Sequence, residues 1–332
     1  MKKEAGARLE KWDILKFILM FLVVMGHIAD LYVKESSAMR TLYLAVYTFH
    51  MPLFIFVSGL FSKTTVNEKR KDRIFGYFVL YVAIKLIFWL YYGIARGDWS
   101  FSLFTEANLP WFMLALFIFA LVTVLLKDFS PVYVLIFSVL FACVAGYDTE
   151  IKSFLSLSRI IVYYPFYYLG YIADAKKIEL HCRKKSAKTA AAIIIAAMIT
   201  VAVLFGERLY WLRPLFTGLN PFAALGGYAN FGFLLRLAHY AVAALMCYAV
   251  VVLTPQKTPF GFVTKLGRST LSIYAFHYIL IYILYHHLGI GRFFADILPE
   301  NAAWLGMLLV IPIMAVCSLF EKPLAILALP KK

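Results

Sequence analysis

Four side chains near the start of the chain have the types and spacing for acid–base chemistry: Asp13, Lys16, His27 and His50. An unperturbed imidazole titrates near ~6.5, so it can take a proton from a hydroxyl at neutral pH with little tuning. Lys16 and His27 are eleven residues apart. On a helix they differ by only ~20° in direction and by ~16 Å in height. Asp13 falls on the same stripe, so one face carries an acid, an amine and, further up, an imidazole. Phe17, Ile18, Phe21 and Leu22 are left to face lipid or to pack.

Both histidines lie in stretches long and apolar enough to cross a bilayer. A charged group at mid-bilayer costs on the order of 3 kcal/mol, so the charged stripe is expected to face a protein-lined or watery interior. With the first helix entering near Asp13 and the second near Thr41, His27 stands ~21 Å and His50 ~17 Å above the same boundary of a ~30 Å core. The two imidazoles then meet at nearly one depth.

The remaining composition agrees. Of 332 residues, 63% are hydrophobic and 15% charged, with a mean hydropathy of +0.80. These values exclude a soluble domain and predict an all-α polytopic membrane protein. The net charge of +15 needs no nucleic-acid partner, because Lys and Arg cluster in alternate loops, as cytosolic loops require. About ten spans are predicted: 13–33, 41–61, 74–94, one opened by Pro110 and Trp111, 131–146, one beginning at Arg159, 189–206, 236–253, 269–288 and 303–320. Both termini are then cytosolic, with 63–73 and 174–188 the strongest cytosolic markers. The N-terminal tail is basic and its apolar segment lacks a small-residue cleavage site, so the first helix reads as an uncleaved signal anchor.

Pro165 predicts a kink, and 207–235 is interrupted enough to be partly re-entrant. The outer connection 96–109 carries Asp98 and Glu106. Residues 1–332 read as a single integral-membrane domain. Cys143, Cys182, Cys247 and Cys317 have no spacing that suggests a metal site or a disulfide framework, and packing is their expected role.

Lys16, ten intervening residues and His27, preceded by Asp13, resemble the first-helix signature of the acyltransferase-3 membrane family. The usual first residue there is Arg; Lys is similar to the fucose 4-O-acetylase-like subgroup, keeping the charge without the planar fork. Phe49-His50-Met51-Pro52-Leu53-Phe54-Ile55-Phe56-Val57-Ser58-Gly59 resembles that subgroup's second-helix motif. Arg70 with Arg73, Pro110-Trp111-Phe112, Arg159 with Pro165-Phe166 and Gly170, and Ser272-Ile273-Tyr274 with His277 extend the resemblance over most of the chain.

The resemblance implies an O-acyltransferase of the cytoplasmic membrane. Its co-substrate would be acyl-CoA, with acetyl-CoA foremost, and its acceptor a sugar hydroxyl of a cell-surface polysaccharide or glycolipid. No metal or permanently bound cofactor is implied. His27 would be the base, with Lys16, Asp13 and His50 as catalytic companions. Arg70, Arg73, Ser58 and His277 fall on the acyl-donor side, and Trp111 and Arg159 in the acceptor pocket. Direct attack on the thioester and an acyl-histidine relay both fit.

Plainer roles stand beside these. His27, His50 and His277 can be packed, hydrogen-bonded histidines, and Asp13 with Lys16 a structural i, i+3 ion pair. Arg70 and Arg73 can serve topology alone. Ser58-Gly59 reads as a close packing point with Ser58 bonding across helices, and the end-of-helix Tyr and Trp as an interfacial belt. At the level of the whole chain the alternatives are a secondary transporter or exporter, or an inactive relative acting as a membrane sensor. Transport is weighed down by the absence of paired, matching halves.

Overall fold

Inside a bilayer no water is available to the backbone, so each apolar stretch closes its own hydrogen bonds as a helix. The computed structural model describes residues 10–105, 109–151 and 154–328. The described residues are helical and form no strand, apart from one isolated antiparallel bridge between Thr105 and Phe154. The tail before Glu10, and Glu106, lie outside the described residues.

The first half of the chain runs α1 (Glu10–Asp30), α2 (Ser37–Tyr47), α3 (His50–Leu60), α4 (Lys63–Asn67) and the long α5 (Lys71–Arg96). Next come α6 (Trp111–Leu126), α7 (Pro131–Ala145), α8 (Leu157–Ile172), α9 (Ala175–Cys182) and α10 (Lys185–Phe205). An irregular segment then holds α11 (Arg213–Phe216) between the short helical turns Tyr210–Leu212 and Phe222–Phe231. Beyond α12 (Gly232–Leu253) and α13 (Gly261–Arg268), α14 (Thr270–Tyr282) continues as a π-helical turn, Ile283–His287. The chain closes with α15 (Ile290–Ile297), α16 (Ala302–Met307), α17 (Val310–Ser318) and α18 (Glu321–Ala328).

Six of these, among the described residues, are long and apolar enough to cross a membrane: α1, Ser37–Leu60, α5, α10, Phe222–Leu253 and Pro299–Ser318. The α14–α15 pair, bent by 59°, makes a seventh if it is one span. The predicted spans that became α6, α7 and α8 have 16, 15 and 16 residues. That is only ~22–24 Å of helix against a ~30 Å core. Three predicted unbroken helices are interrupted: 41–61 between α2 and α3, 269–288 by the π turn, and 303–320 between α16 and α17. The stretch Glu321–Ala328, beyond the last predicted span, is helical.

Distant side chains finish several helix ends. Lys11 Nζ, almost fully buried, donates to the carbonyls of Val251 and Thr254 at 2.6 Å each, closing the C-terminus of α12 where a cation is favoured. Glu321 accepts from the Ser272 amide at 3.1 Å in the first turn of α14. Asp174 caps α9 through the amides of Lys176 and Lys177, and those bonds hold its carboxyl below the ordinary range.

At the centre, α1 packs against α2, α3, α13, α14, α16 and α17. Helices α3 and α8 pack with their backbones in close contact. A Cβ on Gly59 would sit 2.0 Å from the Tyr167 carbonyl, and one on Gly170 would sit 2.0 Å from the Phe56 carbonyl. Small residues at both positions let the two backbones touch, which in a membrane replaces hydrophobic attraction as the packing force. Tyr163, Tyr164, Tyr167 and Tyr168 of α8 are buried in this core, so these tyrosines belong to the interior and not to an interfacial belt. Cys143, Cys182 and Cys317 are buried and all four cysteines are free thiols.

Because backbone atoms cannot yield as a flexible side chain can, Gly59→Val is expected to force α3 and α8 apart. The stability lost should be at least about 2 kcal/mol, read as a lowered melting temperature of the detergent-solubilised protein. A wild-type melting curve would contradict the packing described.

Candidate active site

Pro52 sets the local geometry of the second apolar stretch. It has no amide hydrogen to give to the Thr48 carbonyl one turn earlier, and the helix breaks there, with Phe49 at φ −138° and ψ −19°. Groups from α12 reach two carbonyls at this break: Thr48 O, freed by Pro52, and Phe49 O, which already accepts from the Leu53 amide at 2.9 Å. His239 Nε2 donates to Thr48 O at 3.3 Å, and the Cys247 thiol approaches Phe49 O at 3.8 Å.

His50 therefore opens α3, where its Nδ1–H donates to the Val46 carbonyl at 2.8 Å. A carbonyl only accepts, so in the neutral ring Nε2 keeps its lone pair. His277 in α14 is held in the same way: Nδ1 donates to Ile273 O at 2.8 Å and lies 3.0 Å from Tyr274 O. Its Nε2 is fully buried and has no hydrogen-bond partner among the described residues.

These two imidazoles and that of His27 line one cavity of about 460 Å³. The His27 and His277 rings are 5.2 Å apart between centroids, and Tyr278 meets His27 edge-on at 5.2 Å. Trp111 and Arg159 also line it, the guanidinium lying 4.9 Å over the indole, which stacks on Tyr163 at 5.6 Å. Residues of the irregular segment, Arg213 to Ala224, complete the wall beyond the C-terminal end of α1. Three hydrogen bonds hold that segment in place: Ser158 to Gly218 O at 2.7 Å, Tyr163 to Phe216 O at 3.0 Å and Arg236 to Leu215 O at 2.7 Å.

Asp13 and Lys16 do not line this cavity. Lys16 Nζ lies 3.3 Å from Asp13 Oδ1, and Arg268 Nε donates to Asp13 Oδ2 at 3.0 Å. Gly267 explains how α13 comes so near, since any Cβ there would collide with the Asp13 carbonyl at 1.9 Å. The expectation that Asp13, Lys16 and His27 share one cavity-facing stripe is thus corrected: one end of α1 docks α13, and the other carries His27.

Arg70 and Arg73 stand at the start of α5, outside the cavity. Arg70 directs its fork at Asp72, at 3.2 and 2.9 Å. Ser58 also lies outside the cavity. Its hydroxyl donates to Phe54 O of its own helix at 2.9 Å, in place of the expected bond across helices.

Two charged cavity residues were absent from the sequence reading: Asp30, and Arg213, which donates to it at 2.7 Å. Asp30 carried a usable signal, being one turn beyond His27 in the same helix. Arg213 carried none, because its partner is 183 residues away.

Residues 9–322 match the family model described as an acyltransferase domain, acyltransferase 3. The chain belongs to this family. Two curated relatives are each named nodulation protein NolL. The one from Sinorhizobium fredii is 26% identical over 179 residues, covering 48% of this chain and 47% of the relative. That from Mesorhizobium japonicum is 26% identical over 177 residues, covering 48% and 46%. The chain thus spans about half the length of the curated relatives it matches. No solved structure matches. Family membership and the apolar helices together make this a multi-pass membrane protein.

The account of the α2–α3 break has a direct test in unfolding free energies. His239→Ala leaves Thr48 O without its side-chain donor and should cost about 1–3 kcal/mol. Adding Pro52→Ala restores an amide hydrogen one turn on, so the double variant should recover part of that loss. Strict additivity of the two changes would refute the account.

Proposed function

We propose that this protein is an O-acyltransferase of the cytoplasmic membrane. It would move an acetyl or other short acyl group from acyl-CoA to a sugar hydroxyl of a surface polysaccharide or glycolipid. The observation that carries this reading is the cavity in which His27 meets His50, His277, Arg159 and Trp111, in a chain of the acyltransferase 3 family. Residues 1–332 act as one domain, with about ten membrane-crossing segments and both termini in the cytosol. The basic loops support that orientation.

In the reaction, a neutral His27 nitrogen accepts the proton of the acceptor hydroxyl as its oxygen attacks the thioester carbonyl. The C–S bond breaks, the sulfur leaves as thiolate, and the imidazolium returns the proton to it. Acetyl ester and free CoA are the products. His277, with its unpartnered Nε2 beside the His27 ring, is the acceptor that fixes His27's tautomer and steadies its charged form. His50 presents its lone pair to the same space. Arg70 and Arg73 receive the donor's phosphates at the cytosolic rim. The Arg70–Asp72 pair is exposed and screened, so a multiply charged phosphate can displace the carboxylate. Lys16 and Asp13 hold the entry end of α1.

His27→Ala should lower transfer from labelled acetyl-CoA by at least about a hundredfold, the usual share of a general base, with membrane insertion and melting temperature intact. Normal surface-glycan O-acetylation by that variant would overturn the assignment.

A further inference from the structure

Asp30 and Arg213 belong to none of the motifs that carry the family resemblance, yet they meet on the cavity wall. Asp30 is three residues beyond His27 in the last turn of α1, so its carboxylate stands on the same side of the helix. Arg213 opens α11, and its Nη2 donates to Asp30 Oδ1 at 2.7 Å. The side chains are 38% and 37% exposed, so neither is sealed from an incoming molecule. Asp30 Oδ2 has no hydrogen-bond donor among the described residues.

A rigid aromatic stack ties this pair to the imidazoles. The Arg213 guanidinium lies 4.8 Å over Tyr43, Tyr43 stacks on Tyr47 at 3.8 Å and 13°, and Tyr47 meets His50 at 4.8 Å. A carboxylate accepts from hydroxyls, and a guanidinium donates to them. An apolar ligand would desolvate the ion pair without compensation, and a bare anion would meet the Asp30 charge. A polyhydroxylated ring satisfies both groups together.

We propose that Asp30 and Arg213 are the hydroxyl-reading subsite for the acceptor: they hold neighbouring hydroxyls of a sugar ring so that another hydroxyl is turned toward His27. This rests on the acyltransferase reading and adds to it the residues that choose the acceptor. Sites that hydrogen-bond a substrate hydroxyl discriminate far more sharply than apolar pockets, because their polar groups are stranded when the hydroxyl is missing.

The test complements a strain lacking the gene with the full-length wild type, Asp30→Asn, Arg213→Lys, or the charge swap Asp30→Arg with Arg213→Asp. Each is matched for membrane level. Alkali-released acetate from the surface glycan is read in each strain, and acetyl-CoA affinity on each purified full-length protein. The single variants should lose at least about tenfold in glycan acetate with acetyl-CoA affinity within about twofold of wild type. The swap keeps an ion pair but exchanges donor and acceptor positions, so it should not restore acetylation.

Recovery by the swap would make the pair a clasp between α1 and α11 and overturn the subsite. Parental acetylation by the single variants, a parallel fall in acetyl-CoA affinity, or accumulation of the swap alone would do the same. Equal acetate in the parent and the strain lacking the gene would instead overturn the acyltransferase reading itself, whatever the variants do.

Discussion

Carbonyls that a membrane-buried backbone cannot hand to water must find donors within the protein, and one face of α12 supplies three of them. Arg236, His239 and Tyr240 follow the i, i+3, i+4 spacing that puts side chains together. They donate to Leu215 O, Thr48 O and Val162 O respectively. Those acceptors belong to the irregular segment, to the break between α2 and α3, and to α8, which are three walls of the cavity. The site therefore depends on unsatisfied backbone as much as on packing. At the irregular segment and at the α2–α3 break, α12 supplies donors where the chain departs from a continuous helix.

Bonded through Nδ1 to main-chain carbonyls, His50 and His277 each keep Nε2 as the nitrogen with a lone pair. Among the described residues His27 has no such tether; it lines the same cavity, with the His277 ring 5.2 Å away. A base must take up a proton and release it. The ring free of backbone bonds suits that task, whereas the tethered rings suit orientation and charge stabilisation. Under the proposed mechanism, three similar side chains thus take different roles.

Helix α1 meets an arginine from a distant part of the chain at each end. Arg268 bonds Asp13 near its start, and Arg213 bonds Asp30 at its end. The first contact is set in a tight helix junction where Gly267 abuts the Asp13 carbonyl. The second is open to the cavity. The same pair of residue types thus serves packing at one end and is available to a ligand at the other, with desolvation as the difference.

The all-helical class, the multi-pass character and the family were legible in the sequence because hydropathy, helical period and the Lys16–His27 spacing are local properties of the chain. His27, His50, His277, Trp111 and Arg159 were all singled out there as well, although nothing in the sequence showed that they share one cavity. What the tertiary structure alone decided concerns contacts between remote segments. Asp13 turns to α13, whose backbone Gly267 admits, and Lys16 pairs with Asp13. Asp30 becomes a cavity residue because Arg213 reaches it from 183 residues away. The length of α6 to α8 and the interruptions at Phe49 and in the π turn were likewise beyond a reading by apolar runs. An apolar run records that a segment avoids water. Which carbonyl finds which donor, and hence where a helix can stop, depends on partners that only the folded chain brings near.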